Sequence, residues 1–160
     1  MNLHRPNSNV LPFPIYSLEI ESLKELERTT FPSKTFVMLV AANFSDTDSS
    51  EVTSVAMRLI TKGLKYVLCW GNECEKAHHA FDLGNVLWEE KEKTQNHVMS
   101  TSHDDESFED VLWFCLHNAS PDDVYWESTS IVVVSVNKAI SKPQLEYLSD
   151  TQALNSAAGV

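Results

Sequence analysis

Apolar positions along the chain fall into two alternating regimes. Thr35 to Ala42, Leu64 to Trp70 and Ser130 to Val136 are apolar almost without interruption, and His97 to Ser102 is a weaker run of similar length. Short runs of this kind, rich in Val, Ile and Leu and lacking alternation, mark strands covered on both faces. Between them the apolar residues return at helical spacing. Val52, Val55, Ala56, Leu59 and Ile60 stand at i, i+3, i+4, i+7 and i+8, Asp48 and Glu51 have the spacing of a capping box, and Gly63 stands where a left-handed C-terminal cap is wanted.

The pattern repeats downstream. Gly71 and Asn72 turn the chain, Asn72 and Glu75 again have capping-box spacing, and Ala77, Ala80, Phe81, Gly84 and Trp88 predict a helix over residues 73 to 91. The acidic turn His103 to Glu106 suits the N-terminus of a helix carrying Phe108, Val111, Leu112, Cys115 and Ala119, with Trp113 expected in the core. Pro121 ends that helix, an acidic and aromatic link follows, and Ser141 with Pro143 opens a last short helix. Upstream, Leu18, Leu23 and Leu26 among acidic residues predict a helix over Ser17 to Arg28. Three segments result: an irregular arm over 1–14, a single α/β domain over 15–149 and a flexible tail over 150–160.

Strands that alternate with amphipathic helices require parallel crossovers, which are right-handed in nearly all cases. The expected fold is therefore an α/β three-layer sandwich with a short, mostly parallel sheet, Rossmann-like or flavodoxin-like. Counting the four predicted strands along the chain, the expected order is 2-1-3-4. That order places the topological switch between the first and third predicted strands.

Composition narrows the partners. The net charge of -11, from 23 acidic against 12 basic residues, repels phosphate backbones and anionic membrane, and the nearest basic window, Glu89-Glu-Lys-Glu-Lys93, is mixed. Neither nucleic acid nor membrane is expected, whereas a basic partner is. No apolar run approaches the roughly 18 residues of a membrane span, and Met1 to Pro14 has no signal-peptide core, so a cytoplasmic location is expected. Three cysteines, Cys69, Cys74 and Cys115, are an odd number without zinc-ribbon spacing and point to reduced thiols.

Four glycines, at 63, 71, 84 and 159, leave no dinucleotide fingerprint and no phosphate-cradling P-loop, and there is no G-x-S-x-G nucleophile elbow. Candidate chemistry is then sought beyond the carboxyl ends of the strands, where open α/β sheets bind ligands. This gives Asn43, Ser45 and Asp46, then Trp70, Gly71 and Asn72, then Ser102, His103 and Asp104, with Asn137 after the last strand. All are equally suited to turns and caps. Tyr125 and Trp126, in the irregular link, are candidate anchors for a partner.

Cys74, His78 and Asp82 stand at i, i+4 and i+8 on one side of the second predicted helix. The span from Cys74 to Asp82, roughly 12 Å at about 1.5 Å per residue, is too long for one ion, so a metal site there would use Cys74, His78 and His103. The competing account packs Cys74 beside Phe81, sets His78 at the border of the apolar stripe and turns His79 to water. Glu73 and Glu75 oppose thiolate formation at Cys74.

The pattern Trp-Gly-x-x-Cys-Glu-x-x-His-x-x-x-Asp from Trp70 to Asp82 stands with Ser102-His-Asp-Asp-Glu106, Leu112-Trp-Phe114 and Pro121-Asp-Asp-Val-Tyr125. With these motifs the chain resembles a family of small bacterial proteins of uncharacterised function over residues 35 to 136. The resemblance implies a bacterial cytosolic origin and brings no activity. The expectation is a non-catalytic binding or regulatory module that holds a protein or small molecule at the carboxyl edge of the sheet without a cofactor. The alternative is a small metal-assisted hydrolase in which His103 or His78 serves as ligand or base, oriented by Asp104 or Asp46. A homodimer subunit is a third expectation.

Overall fold

Every residue of Thr129–Val136 is buried. A strand so covered needs a neighbour along each edge and a helical layer over each face. The computed structural model, which describes residues 3, 14–119 and 128–148, gives it both. The elements in chain order are β1 (Ile15–Ile20), a 3-10 turn (Leu23–Arg28), β2 (Thr35–Ala41), α1 (Ser49–Thr61), β3 (Leu64–Trp70), α2 (Cys74–Glu92), β4 (Met99–His103), α3 (Phe108–Asn118), β5 (Thr129–Val136) and α4 (Lys142–Tyr147). All strand pairs are parallel, in the order β1-β5-β2-β3-β4.

Side chains alternate across each strand, so successive residues feed opposite layers. Met38, Val40, Val67, Val132 and Val134 pack beneath the 3-10 turn, α1 and α2, while Val37, Leu39, Leu68, Ile131 and Val133 pack against α3 and α4. Each such side chain, fully withdrawn from water, contributes about 1.5–3 kcal/mol. The fold class is thus the expected α/β sandwich.

The strand order differs from the expected one. In the count of four predicted strands it is 4-1-2-3, because α1 and α2 step the chain one way through β3 and β4, and α3 then carries it back over the opposite face to set β5 beside β2. The reason is burial. β5 and β2 take the interior, whereas β4, with Ser100, Thr101 and Ser102 partly exposed and Met99 exposed, takes an edge. The switch accordingly lies between β2 and β5.

Other expectations shift locally. Ser17 to Arg28 is not one helix: Ile15–Ile20 pairs with β5, and only Leu23–Arg28 coils, started by a capping box between Ser22 and Glu25. Ile15, Leu18 and Ile20 are the buried positions of that edge strand, while Leu23 and Leu26 belong to the turn. At α2 the cap is Glu73 in a left-handed conformation with φ 55° and no side-chain cap bond, so Asn72 does not act as the cap. Asp48 caps α1 through the backbone N–H of Ser50 at 2.9 Å rather than through a reciprocal box with Glu51. Trp113 is 49% exposed and stacks on His117 with ring centroids 4.3 Å apart, since Val111, Leu112, Cys115 and Leu116 take the inward side of α3. Residues 150–160, most of the arm, and Tyr125 and Trp126 lie outside the described residues.

Candidate site at the strand ends

The carboxyl ends of β1, β5 and β2 are level: Ser135 lies opposite Glu19 on one side and Ala41 on the other. Just beyond them the three chains diverge. β1 runs into the 3-10 turn, β2 into the loop before α1, and β5 into a tight turn. The gap between these departures is a cavity of about 270 Å³.

Each wall is fixed by its own local bonds. On the β2 side, Asn43 Oδ1 accepts from the Ser45 backbone N–H at 3.1 Å and hydroxyl at 2.7 Å, and from Asn72 Nδ2 at 3.3 Å. Lys76 Nζ reaches the Phe44 carbonyl at 3.3 Å and ties that loop to α2. On the β5 side, Asn137 and Lys138 are consecutive left-handed residues with φ 52° and 60°. Such conformations are uncommon outside glycine, and here three bonds impose them. Asn137 N–H donates to Ile20 O at 2.7 Å, Ala139 N–H to Val136 O at 3.2 Å, and Ile140 N–H to the buried Ser135 Oγ at 2.9 Å.

Asn43, Asp46 and Asn137, each just beyond the end of a strand, line this cavity. Glu21 and Glu51 join them. Neither follows from the sequence pattern: a helix over 17–28 hides the end of β1, and a capping box with Asp48 gives Glu51 a role that it does not take. The lining among the described residues holds three carboxylates, Glu21, Asp46 and Glu51, and no lysine or arginine. Nearby, the two hydrogen bonds from Ser50, the backbone one first, hold the Asp48 carboxyl below the usual range.

The remaining candidates fall elsewhere. Trp70 donates from Nε1 to the Glu106 carbonyl at 2.8 Å and leans on Phe108. His103 is 5% exposed; its Nδ1 is 2.8 Å from Glu106 Oε2, its Nε2 2.8 Å from Thr101 Oγ1, and its ring meets Phe114 edge-on. With both nitrogens engaged, the imidazole braces β4 against the start of α3. Asn72 and Asp104 line a shallow depression with Glu75, Lys76 and His79. Cys74 is buried in the core cluster that also holds Phe81, and burial pushes its thiol up.

Cys74 and His103 do not join His78 in a metal-ligating group. Among the described residues, the group of three whose ligand atoms converge is His78, His79 and Asp82. The structure therefore sorts the candidate residues into a cavity at the β2 and β5 ends, a brace around His103, and a cluster on the outer side of α2.

A family model described as a domain of unknown function (DUF7684) matches residues 15–151. That span runs from the first residue of β1 past α4. No curated protein and no solved structure matches the chain.

Proposed function

We propose that this chain, which belongs to the DUF7684 family of domains of unknown function, is a non-catalytic binding module that takes a small ligand, or a side chain of a partner protein, carrying an amino or guanidinium group. The observation that carries the reading is the cavity at the topological switch between β2 and β5, the position where open parallel sheets hold their ligands. Its walls come from three separate strand ends, and two of those ends are held in bond-rich, irregular turns. A site of this kind is preorganised.

The lining selects the ligand. Glu21, Asp46 and Glu51 offer acceptors only, Asn43 and Asn137 offer both functions, and the overall charge of -11 draws cations toward the surface. Phosphates and carboxylates would meet three like charges. A volume of about 270 Å³ suits a molecule of amino-acid size or one long basic side chain. Among the described residues no helix is long and apolar enough to cross a membrane. The three free, buried cysteines and the resemblance at Trp70 to Asp82 support a reducing, bacterial cytoplasmic setting.

Titration of the isotopically labelled protein with agmatine and with lysine amide, followed by amide shifts, tests the reading. Saturable shifts concentrated at Glu21, Asn43, Glu51 and Asn137 are expected, and no comparable response to AMP or citrate. If the cations shift only residues remote from the cavity, or the anions bind there as well, the reading fails.

A further inference from the structure

Between the outer side of α2 and the edge strand β4, a second set of side chains converges that the cavity does not use. Glu75, His78, His79 and Asp82 stand at i, i+3, i+4 and i+7, so all four share one stripe of the helix. His78, His79 and Asp82 each place a ligand atom within 4.8 Å of the other two, and the two imidazole rings lie 5.2 Å apart.

Ser100, reaching across from β4, sets the orientation of His78. Its Oγ lies 2.6 Å from His78 Nδ1 and donates to Asp82 Oδ1 at 2.5 Å. A hydroxyl has one proton to give. With that proton on the carboxylate, His78 Nδ1 must be the donor toward Ser100, and the lone pair of the ring is left on Nε2. This is the outer-shell arrangement that fixes the tautomer of metal-binding histidines.

The distances on the open side carry the argument further. His78 Nε2 is 3.6 Å from Asp82 Oδ2, and His79 Nε2 is 3.5 Å from Glu75 Oε1. Both are too long for good hydrogen bonds. The His78–Asp82 distance matches the separation of about 3.3–3.6 Å between two ligands held tetrahedrally at about 2.0–2.2 Å from one ion.

We propose that His78, His79 and Asp82 bind a divalent transition metal of the zinc class, with Ser100 as the positioning residue and Glu75, 3.5 Å from His79 Nε2, a further carboxylate at the site. Imidazole and carboxylate together favour zinc, nickel or copper over calcium or magnesium. Three protein ligands leave a coordination position open to solvent or substrate. The site is independent of the binding reading above and stands or falls without it.

The test uses the full chain stripped by chelator, with Zn²⁺ followed by calorimetry and Co²⁺ by its visible absorption. One equivalent is expected to bind at low-micromolar affinity with a tetrahedral Co²⁺ spectrum. His78→Gln and Asp82→Asn should abolish that spectrum, and Ser100→Ala, which keeps every ligand, should weaken binding by about 10–100-fold. His117→Ala, on α3, should leave binding unchanged. The proposal is overturned if no equivalent binds, if His78→Gln or Asp82→Asn binds as the parent does, or if Ser100→Ala has no effect. Circular dichroism on each variant confirms that the chain remains folded.

Discussion

Replacing Gly71 with alanine probes the joint on which both candidate sites depend. Gly71 follows β3 directly with φ +119°, and a Cβ built there would lie 2.0 Å from the Ala42 carbonyl oxygen and 3.0 Å from its carbon. The conformation alone costs a non-glycine residue about 1–3 kcal/mol. The contact adds to this, because its partner is backbone and cannot rotate away.

Relieving the contact means parting the ends of β2 and β3. The bonds at stake are Ala42 N–H to Trp70 O at 3.1 Å and Phe44 N–H to Asn72 O at 2.9 Å. At about 0.5–1.5 kcal/mol net for each, losing the pair brings the sum to about 4 kcal/mol. That is a large part of the roughly 5–15 kcal/mol by which domains are stable.

Urea unfolding followed by circular dichroism and tryptophan fluorescence reads the change. For a slope of about 2 kcal/mol/M the midpoint should fall by about 2 M. Amide shifts in any folded fraction should spread from Asn43 and Phe44 to Asn72. A loss of under about 1 kcal/mol, with those amides unmoved, would show that the close approach of Gly71 to Ala42 does not exist in solution and would refute the reasoning.

Asp46→Asn combined with Glu51→Gln should weaken agmatine binding by roughly tenfold, since exposed ion pairs contribute up to about 1 kcal/mol each; calorimetry of the double variant checks this. Leu39→Ala, in the fully buried centre of β2, should cost about 2–5 kcal/mol, whereas Met99→Ala on the exposed edge should stay within about 0.5 kcal/mol, both by urea titration. Burial pushes the Cys115 thiol up to about 12 and raises those of Cys69 and Cys74. Their ionisation is easier in the unfolded chain, so stability should be intact below the ordinary thiol value near 9 and fall as pH rises above it. Replacing Cys115 with alanine should flatten that alkaline decline, and thiol reagents at pH 8 should react with none of the three until the protein unfolds. The Asp48 carboxyl has the opposite sign: its contribution is present above the ordinary carboxylate range and is lost as pH falls through its lowered folded value, so Asp48→Asn should reduce the acid sensitivity measured by thermal melts.

Much of the architecture is legible in the sequence because burial on both faces and burial on one stripe leave different periodicities. β2, β3 and β5 and the helices α1 to α3 follow directly. The order of strands is legible too, but only when the strength of each run is read as depth: Ser130 to Val136 is too apolar for an edge, and Met99 to His103 too polar for the centre. β1 escapes the reading since an edge strand half covered by its neighbour mixes buried Ile15, Leu18 and Ile20 with partly exposed Tyr16 and Ser17, and Leu23 and Leu26 prolong it into a false helical stripe.

The candidate sites were legible to the extent that they sit on predicted strand ends. Asn43, Asp46 and Asn137 follow from topology, while Glu21 needed β1 and Glu51 needed the failure of a capping box. On α2, counting from Cys74 at intervals of four led toward a buried thiol. Counting from Glu75 at i+3, i+4 and i+7 finds the histidine pair and its carboxylates, and only Ser100 had to come from another element.

The strand that joins everything arrives late in the chain. Among the described residues β1 hydrogen-bonds to no strand but β5, so during synthesis the segment from Ile15 to Ile20 lacks that ladder until more than a hundred further residues have emerged. The hydrophobic flank of β2 waits equally long for its cover. A nascent chain halted before Thr129 therefore presents two unsatisfied strand edges and lacks the Val136, Asn137 and Ala139 wall of the cavity, so the proposed site takes shape only when the last strand enters the sheet.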